Sequence, residues 1–134
     1  MKNTTVMIDD EVFESTNEFG HSLIVDTRDP EQRQHQSPPE MLLSALAGCG
    51  AVDIISMLRK RRKNIVKFEI MTEGKRRDET PRAFTALHCH YILTSSDATE
   101  DELMKLAKLS IEKYCTVASS MNSKVTVSVR VIKP

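Results

Sequence analysis

Two of the three cysteines stand in settings where a thiol can do chemistry. Cys49 lies between Gly48 and Gly50, and Cys115 follows an amphipathic stretch far downstream. A thiolate is a strong nucleophile, and its formation depends on the charges and dipoles around the sulfur. Taken alone, each cysteine is more often a buried hydrophobe. Because sequence spacing does not show whether the two meet, both interpretations stay open at this point.

The composition restricts the compartment and the partners. Nineteen Lys and Arg residues balance nineteen Asp and Glu residues, so no net field attracts the chain to nucleic acid or to an acidic membrane. The first ten residues carry no apolar segment after Lys2 and do not resemble a secretory signal. We therefore expect a cytoplasmic protein, in which three cysteines without a CxxC pair form neither a disulfide framework nor a zinc site.

The chain of 134 residues fits one domain, which we expect to span residues 1–134. Three short β-prone runs between residues 4 and 26 predict an N-terminal β-meander. Residues 27–37 are polar and lack apolar periodicity. A loop of this length calls for a functional explanation, and we interpret it as a lid or linker.

A long apolar helix follows this loop. Ser37-Pro38-Pro39-Glu40 predicts its start, with Ser37 as the N-cap and Glu40 completing a capping box. Asp53 is the only charge between residues 41 and 58, and Asn64 is expected to end the helix. A carboxylate near the middle of a membrane span costs about 3 kcal/mol, so we favour a buried helix that a second subunit partly covers. The expected assembly is a homodimer, not a membrane protein.

The glycines beside Cys49 also need an explanation, because each costs about 1 kcal/mol in a helix relative to alanine. One interpretation is close packing of another helix against Gly48 and Gly50. The other is that these small residues open a path to the sulfur of Cys49 for a substrate. The two interpretations are compatible.

The remaining elements complete an α+β fold. Residues 66–72 and 83–94 predict a hairpin whose second strand points Cys89 to one face and His88 and His90 to the other. With only His35 as a possible third ligand, packed or exposed histidines are favoured over a metal site. A capping box at Thr99 opens an amphipathic helix that runs to Cys115, and alternating valines from residue 125 form a last strand. The predicted order is βββ-α-ββ-α-β.

Two motifs in this sequence resemble those of the OsmC/Ohr family. The first is the helix start Ser37-Pro38-Pro39-Glu40 leading to Ala47-Gly48-Cys49, and the second is Lys113-Tyr114-Cys115-Thr116-Val117-Ala118-Ser119. The resemblance implies an intertwined homodimer and, by analogy with the peroxidase members, thiol-dependent reduction of organic hydroperoxides. Cys49 would be the peroxidatic residue and Cys115 the resolving one. An external dithiol would restore both thiols, and no metal or organic cofactor would be needed.

The sequence departs from this family pattern at the residues that activate the attacking thiol. The resemblance implies a glutamate at the position occupied by Pro39, together with an arginine from the preceding loop. Glu40 lies one residue later, about 100° around the helix, and Arg28 is the best-placed arginine, ahead of Arg33. Asp53, one turn beyond Cys49, opposes ionisation of a neighbouring thiol unless a cation neutralises it. An ion pair between Arg28 and Asp53 would do so.

The sequence therefore supports two hypotheses about function. In the first, Cys49 and Cys115 catalyse hydroperoxide reduction, with Arg28 and Glu40 as weaker candidates for catalytic roles. In the second, the protein has the same fold without peroxidase activity and binds a small apolar or electrophilic metabolite. The cysteines would then sense redox state or serve only the structure.

Overall fold

The computed structural model describes all residues from 1 to 134 and contains two compact units, residues 1–42 and 43–134. The strands and main helices follow the predicted α+β order. Their bounds are β1 Asn3–Asp9, β2 Val12–Asn17, β3 Ser22–Asp26, α1 Pro38–Lys60, β4 Lys67–Arg76, β5 Phe84–Thr94, α2 Glu100–Leu109, α3 Thr116–Ser119 and β6 Val125–Ile132. A π-helical segment, Ser110–Tyr114, joins α2 to α3.

The first unit contains the predicted β-meander. Strands β1, β2 and β3 pair in that order, and both pairs are antiparallel. At the second turn the Asn17 side chain accepts hydrogen bonds from the backbone N–H groups of Phe19 and His21. Gly20 adopts a φ of 84° there, a conformation that glycine reaches without steric cost. Local turn chemistry thus closes the hairpin as the sequence predicts.

Asp26 organises the loop of residues 27–37. Its side chain is fully buried and accepts two hydrogen bonds from the Arg28 guanidinium, at 2.9 and 2.6 Å. It also accepts the backbone N–H groups of Gln34 and His35 from the far end of the loop. The Arg28 guanidinium, opposed by burial and aided by the backbone N–H groups of Gln34 and Arg28, holds the pKa of Asp26 well below its usual range. The carboxylate therefore links both ends of the loop.

We expect Asp26→Asn to destabilise the protein and to expose residues 27–37 to protease at pH 7. A carboxyl whose pKa is depressed by folding stabilises the native state above its unfolded pKa of about 4, and that contribution is lost as the pH falls toward the native pKa. The difference in unfolding free energy between variant and parent should therefore shrink between pH 7 and pH 3. Denaturant titrations at both values measure it.

Asp29→Asn is the matched control, because Asp29 lies in the same loop and is exposed. It should leave stability and protease sensitivity near those of the parent. Equal losses in the two variants, or a loss for Asp26→Asn that does not change with pH, would contradict the role assigned to Asp26.

The second unit is built on a three-stranded sheet in the order β4, β5, β6. Strands β4 and β5 form the predicted antiparallel hairpin, whereas β6 pairs with β5 in parallel. The side chains of β5 alternate as expected, with one face fully buried: Leu87, Cys89, Tyr91 and Leu93. The buried residues of α1 and α2 join this face in one hydrophobic cluster, and the valines of β6 pack against it.

Helix α1 contributes a narrow buried stripe to this cluster. The buried residues recur every four positions at Leu46, Gly50, Ile54 and Leu58. The helix is long and apolar enough to cross a membrane, with a mean hydropathy of 1.9 in its most apolar window, yet only 22% of that window is buried. A large apolar surface therefore remains on the other sides of the helix.

The ends of α1 follow local capping rules, although the predicted end at Asn64 is wrong. At the start, the backbone N–H and hydroxyl groups of Ser37 both donate to Glu40, as expected for the capping-box partner. At the end, Arg62 takes a left-handed φ of 56° and Lys63 N–H bonds back to the Leu58 carbonyl. This is a Schellman motif. The sequence obscures it because glycine or asparagine usually takes the left-handed position.

The helix that leads to Cys115 differs from the expected uninterrupted α-helix. Thr99 caps its start by accepting the N–H of Glu102, while the Glu102 carboxylate pairs with Arg61 and Lys63 instead of closing the capping box. After Leu109 the helix widens to the π form, and the N–H of Cys115 bonds to the Ser110 carbonyl at 2.7 Å. Such π segments are common at functional sites.

Candidate redox-active cysteine site

Cys49 lies beside the buried stripe of α1, one residue before Gly50, and is partly exposed. A side chain at Gly48 would meet nothing within 4 Å, whereas one at Gly50 would meet the Tyr91 hydroxyl at 3.4 Å and Ser110 Oγ at 3.8 Å. Gly50 therefore permits the close approach of a strand tyrosine and a serine of the π segment. Gly48 leaves open space next to the cysteine.

Cys115 occupies a break between two helical segments. Its backbone is extended, with φ of −73° and ψ of 106°, and its side chain caps α3 by accepting the N–H of Ala118 at 3.4 Å. Only 1% of Cys115 is exposed. Burial raises the pKa of its thiol to about 11, the Ala118 N–H opposes this shift, and a hydrogen bond with the Cys49 thiol adds to it.

The fold brings the two distant cysteines together. The sulfur atoms of Cys49 and Cys115 and a carboxylate oxygen of Asp53 all lie within 4.8 Å of one another, and neither cysteine is in a disulfide. Asp53 Oδ2 accepts a hydrogen bond of 2.8 Å from the Ser110 hydroxyl. The site thus joins an i, i+4 pair on α1 to a thiol held after the π segment. A disulfide would require the two sulfur atoms to close to about 2.05 Å.

The predicted activating residues have other partners. The Arg28 guanidinium binds Asp26, a partner that the sequence patterns do not indicate. Glu40 accepts two hydrogen bonds from Ser37 and lies 3.7 Å from the Arg33 guanidinium. The bonds from Ser37, and then the charge of Arg33, lower the pKa of Glu40. Asp26 and Glu40 both belong to the first unit. Asp26 fixes the loop, and Glu40 fixes the start of α1.

The other cysteine and the histidines of β5 have structural roles. Cys89 is fully buried, and burial raises the pKa of its thiol, in agreement with the core position predicted for it. On the opposite face, His88 bonds to Thr126 and Ser128, and His90 bonds to Ser128. These hydroxyl partners agree with packed histidines.

Three residues that shape the site or its surroundings are not indicated as functional by the sequence alone. No sequence pattern indicates that Asp26 is buried within the loop. Ser110 offered a weak signal, since it is a polar residue at a core position of an amphipathic helix. Tyr91 lies on the buried face of β5, but its approach to Gly50 depends on the packing of α1 against the sheet.

The element order and the paired thiols define a class of α+β proteins with two cysteines contributed by separate helical segments. Residues 30–130 match the family described as OsmC-like protein. Protein YhfA of Escherichia coli K12 is 36% identical over 109 residues, which cover 81% of this chain and 80% of that protein. The chain therefore belongs to the OsmC family.

Solved structures agree with this fold. The OsmC-like protein of Mycoplasma pneumoniae superposes with a TM-score of 0.84 at 19% identity, covering 98% of this chain and 96% of that one. An organic hydroperoxide resistance protein of Legionella pneumophila superposes with a TM-score of 0.70 at 14% identity, covering 98% and 97%. At these identities the likeness concerns the fold alone.

Native-state alkylation should distinguish the three thiols. At pH 7 a thiol whose pKa is about 11 is ionised in roughly one molecule in ten thousand, and Cys115 is also buried. We expect iodoacetamide to modify Cys49 first, while Cys89 and Cys115 stay protected. Labelling of Cys115 should increase as the pH is raised toward 11. Peptide mass spectrometry after timed quenching measures each rate.

The denatured chain is the control for this experiment, and all three cysteines should then react alike. Equal rates for Cys49 and Cys115 in the folded protein would contradict the burial and ionisation described for Cys115.

Proposed function

We propose that this protein reduces organic hydroperoxides with Cys49 as the attacking thiol and Cys115 as the resolving thiol. The observation that carries the proposal is the approach of the two sulfur atoms to within 4.8 Å, in a chain where their residues are far apart in sequence. Membership of the OsmC family adds support. Some solved structures that superpose on this chain are named organic hydroperoxide resistance proteins.

The reaction balances with two thiols and one peroxide. The Cys49 thiolate attacks the terminal oxygen of the hydroperoxide, the O–O bond breaks, and the alkoxide leaves as an alcohol after taking a proton. Cys49 is then a sulfenic acid. The sulfur of Cys115 attacks that of Cys49, the S–O bond breaks, and hydroxide leaves as water with the proton of Cys115. An external dithiol reduces the disulfide by exchange and is itself oxidised.

The burial of the two thiols supports this division of roles. An attacking sulfur must meet the substrate, and Cys49 is partly exposed beside the open space at Gly48. A resolving sulfur must meet only the oxidised partner, and Cys115 is buried with its sulfur within 4.8 Å of that of Cys49. The Ala118 N–H that contacts Cys115 Sγ would stabilise negative charge on that sulfur as it attacks.

A peroxide titration tests the proposal directly. One equivalent of an organic hydroperoxide should consume two thiols per reduced chain and form a disulfide between Cys49 and Cys115. Cys49→Ser should abolish rapid peroxide consumption. Cys115→Ser should consume about one equivalent and stop at a sulfenic acid, because no thiol resolves it. Thiol counting and intact-mass spectrometry follow both products.

Cys89→Ser is the matched control, since Cys89 is fully buried and is not one of the three clustered side chains, and it should behave as the parent does. No loss of thiols at millimolar peroxide would reject the peroxidase function. Peroxide consumption that survives Cys49→Ser would reject the role of Cys49.

We also infer that the active form is a homodimer in which a second copy covers the free surface of α1. Val52 lies two residues from Gly50, about 200° around the helix from the buried stripe, and it is 68% exposed. Only 22% of the most apolar window of α1 is buried in one chain. Exposed apolar surface of this extent is typical of an interface.

A charge at Val52 should therefore disrupt the dimer. We expect Val52→Glu to shift the protein from dimer to monomer in size-exclusion chromatography with light scattering, because burying an unpaired carboxylate is costly. Val66→Glu is the control, as Val66 is 58% exposed outside α1. A monomeric parent, or equal effects of the two variants, would contradict the inference.

One observation favours the second candidate function, binding of an electrophilic metabolite without turnover. Arg28 and Glu40 are engaged by Asp26 and Ser37, so neither is free in these contacts to activate a peroxide. In that case peroxide would react slowly, whereas a small electrophile such as an enal would form a stable adduct on Cys49. Comparing the two rates on the same reduced protein separates the candidates.

A further inference from the structure

The cysteine site contains three side chains of the kind that bind a thiophilic metal ion. Cys49 Sγ, Cys115 Sγ and an oxygen of Asp53 lie within 4.8 Å of one another. In a tetrahedral zinc site, sulfur ligands at about 2.3 Å from the metal are about 3.8 Å apart. The corresponding distance between a sulfur and a carboxylate oxygen is about 3.6 Å, so a contraction of about 1.2 Å or less in any pair would meet this geometry.

Asp53 is the member of this group that the proposed peroxidase reaction does not use. Its carboxylate is partly buried next to two thiols, and within residues 43–134 no lysine or arginine forms an ion pair with it. Gathering two ionisable thiols and a carboxylate is electrostatically unfavourable without a nearby cation. A divalent cation would supply that charge and stabilise all three donors together.

The surrounding hydrogen bonds suit metal binding. The Ser110 hydroxyl donates to Asp53 Oδ2, which orients the carboxylate and leaves Oδ1 available to a metal. The Ala118 N–H donates to Cys115 Sγ and would orient the thiolate in the same way. Hydrogen bonds from neighbouring groups to the side chains that bind the metal are a usual feature of protein metal sites.

We propose that Cys49, Asp53 and Cys115 of the reduced protein bind one thiophilic divalent cation, with Zn²⁺ or Cd²⁺ as the probe. Three protein ligands leave a fourth position for water or a small anion, as in open zinc sites. A cation reaches the site from the side of Cys49 and Asp53, which are partly exposed, because Cys115 is buried. This site does not depend on the proposed peroxidase activity.

The two uses of the thiols exclude each other. A metal held by both sulfur atoms ties up the electron pairs that attack a peroxide, and a disulfide between Cys49 and Cys115 removes both thiolate ligands. Bound metal should therefore protect the reduced pair, and prior oxidation should abolish metal binding. The site would store the thiols in a form that peroxide oxidises slowly.

Metal titration of the reduced full chain tests the proposal. Cd²⁺ should produce the ultraviolet charge-transfer band of cadmium thiolate with a stoichiometry of one per chain. Zn²⁺ competed against a chromogenic chelator gives the affinity. Asp53→Asn keeps both thiols and the hydrogen bond to Ser110, and we expect it to weaken Zn²⁺ binding by about tenfold or more. Ser110→Ala should weaken binding by about tenfold, as loss of an outer-shell partner does.

Cys89→Ser is the matched control and should bind Zn²⁺ as the parent does, because Cys89 is fully buried in the core. Cys49→Ser and the pre-formed disulfide should both lose the cadmium band. The proposal is overturned if Asp53→Asn binds Zn²⁺ as tightly as the parent, or if the band persists in Cys49→Ser. A protein that binds metal but leaves peroxide unreduced would reject only the peroxidase function.

Discussion

The buried stripe of α1 is the constraint on which the second unit depends. Leu46, Gly50, Ile54 and Leu58 recur every four residues and pack in one cluster with the inner face of β5. This fixes the rotation of the helix, and with it the directions of Cys49 and Asp53, each one residue before a stripe position. Both side chains lie at the edge of the core, where they are partly exposed. Gly50 is the point of closest approach, under Tyr91 and Ser110.

The second thiol reaches this edge through a local change of helix type. The π segment after Leu109 adds a residue to the last turns, and the extended backbone of Cys115 then starts α3. Ser110, at the start of that segment, is buried and donates to Asp53. One short irregular stretch thus supplies both the resolving thiol and the group that orients the carboxylate. An uninterrupted α-helix would rotate these residues differently.

In the first unit, the buried carboxylate of Asp26 organises the loop of residues 27–37. The Arg28 guanidinium is bound by Asp26. The same carboxylate also accepts a hydrogen bond from the far end of the loop. Glu40 likewise stabilises the start of α1 with Ser37. The residues that resemble an activating pair therefore have structural roles in this chain.

The sequence by itself determined the order of elements, the start of α1, the two faces of β5 and the membership of Cys49 and Cys115 in familiar motifs. These features depend on periodicity and capping over a few residues, so local sequence encodes them. Tertiary structure alone decided the contact between Cys49, Asp53 and Cys115, the partner of Arg28, the π segment and the Schellman end at Arg62. Each of those depends on which distant side chain or carbonyl is within reach, and that distance is set by packing of the whole core, which local pattern does not contain.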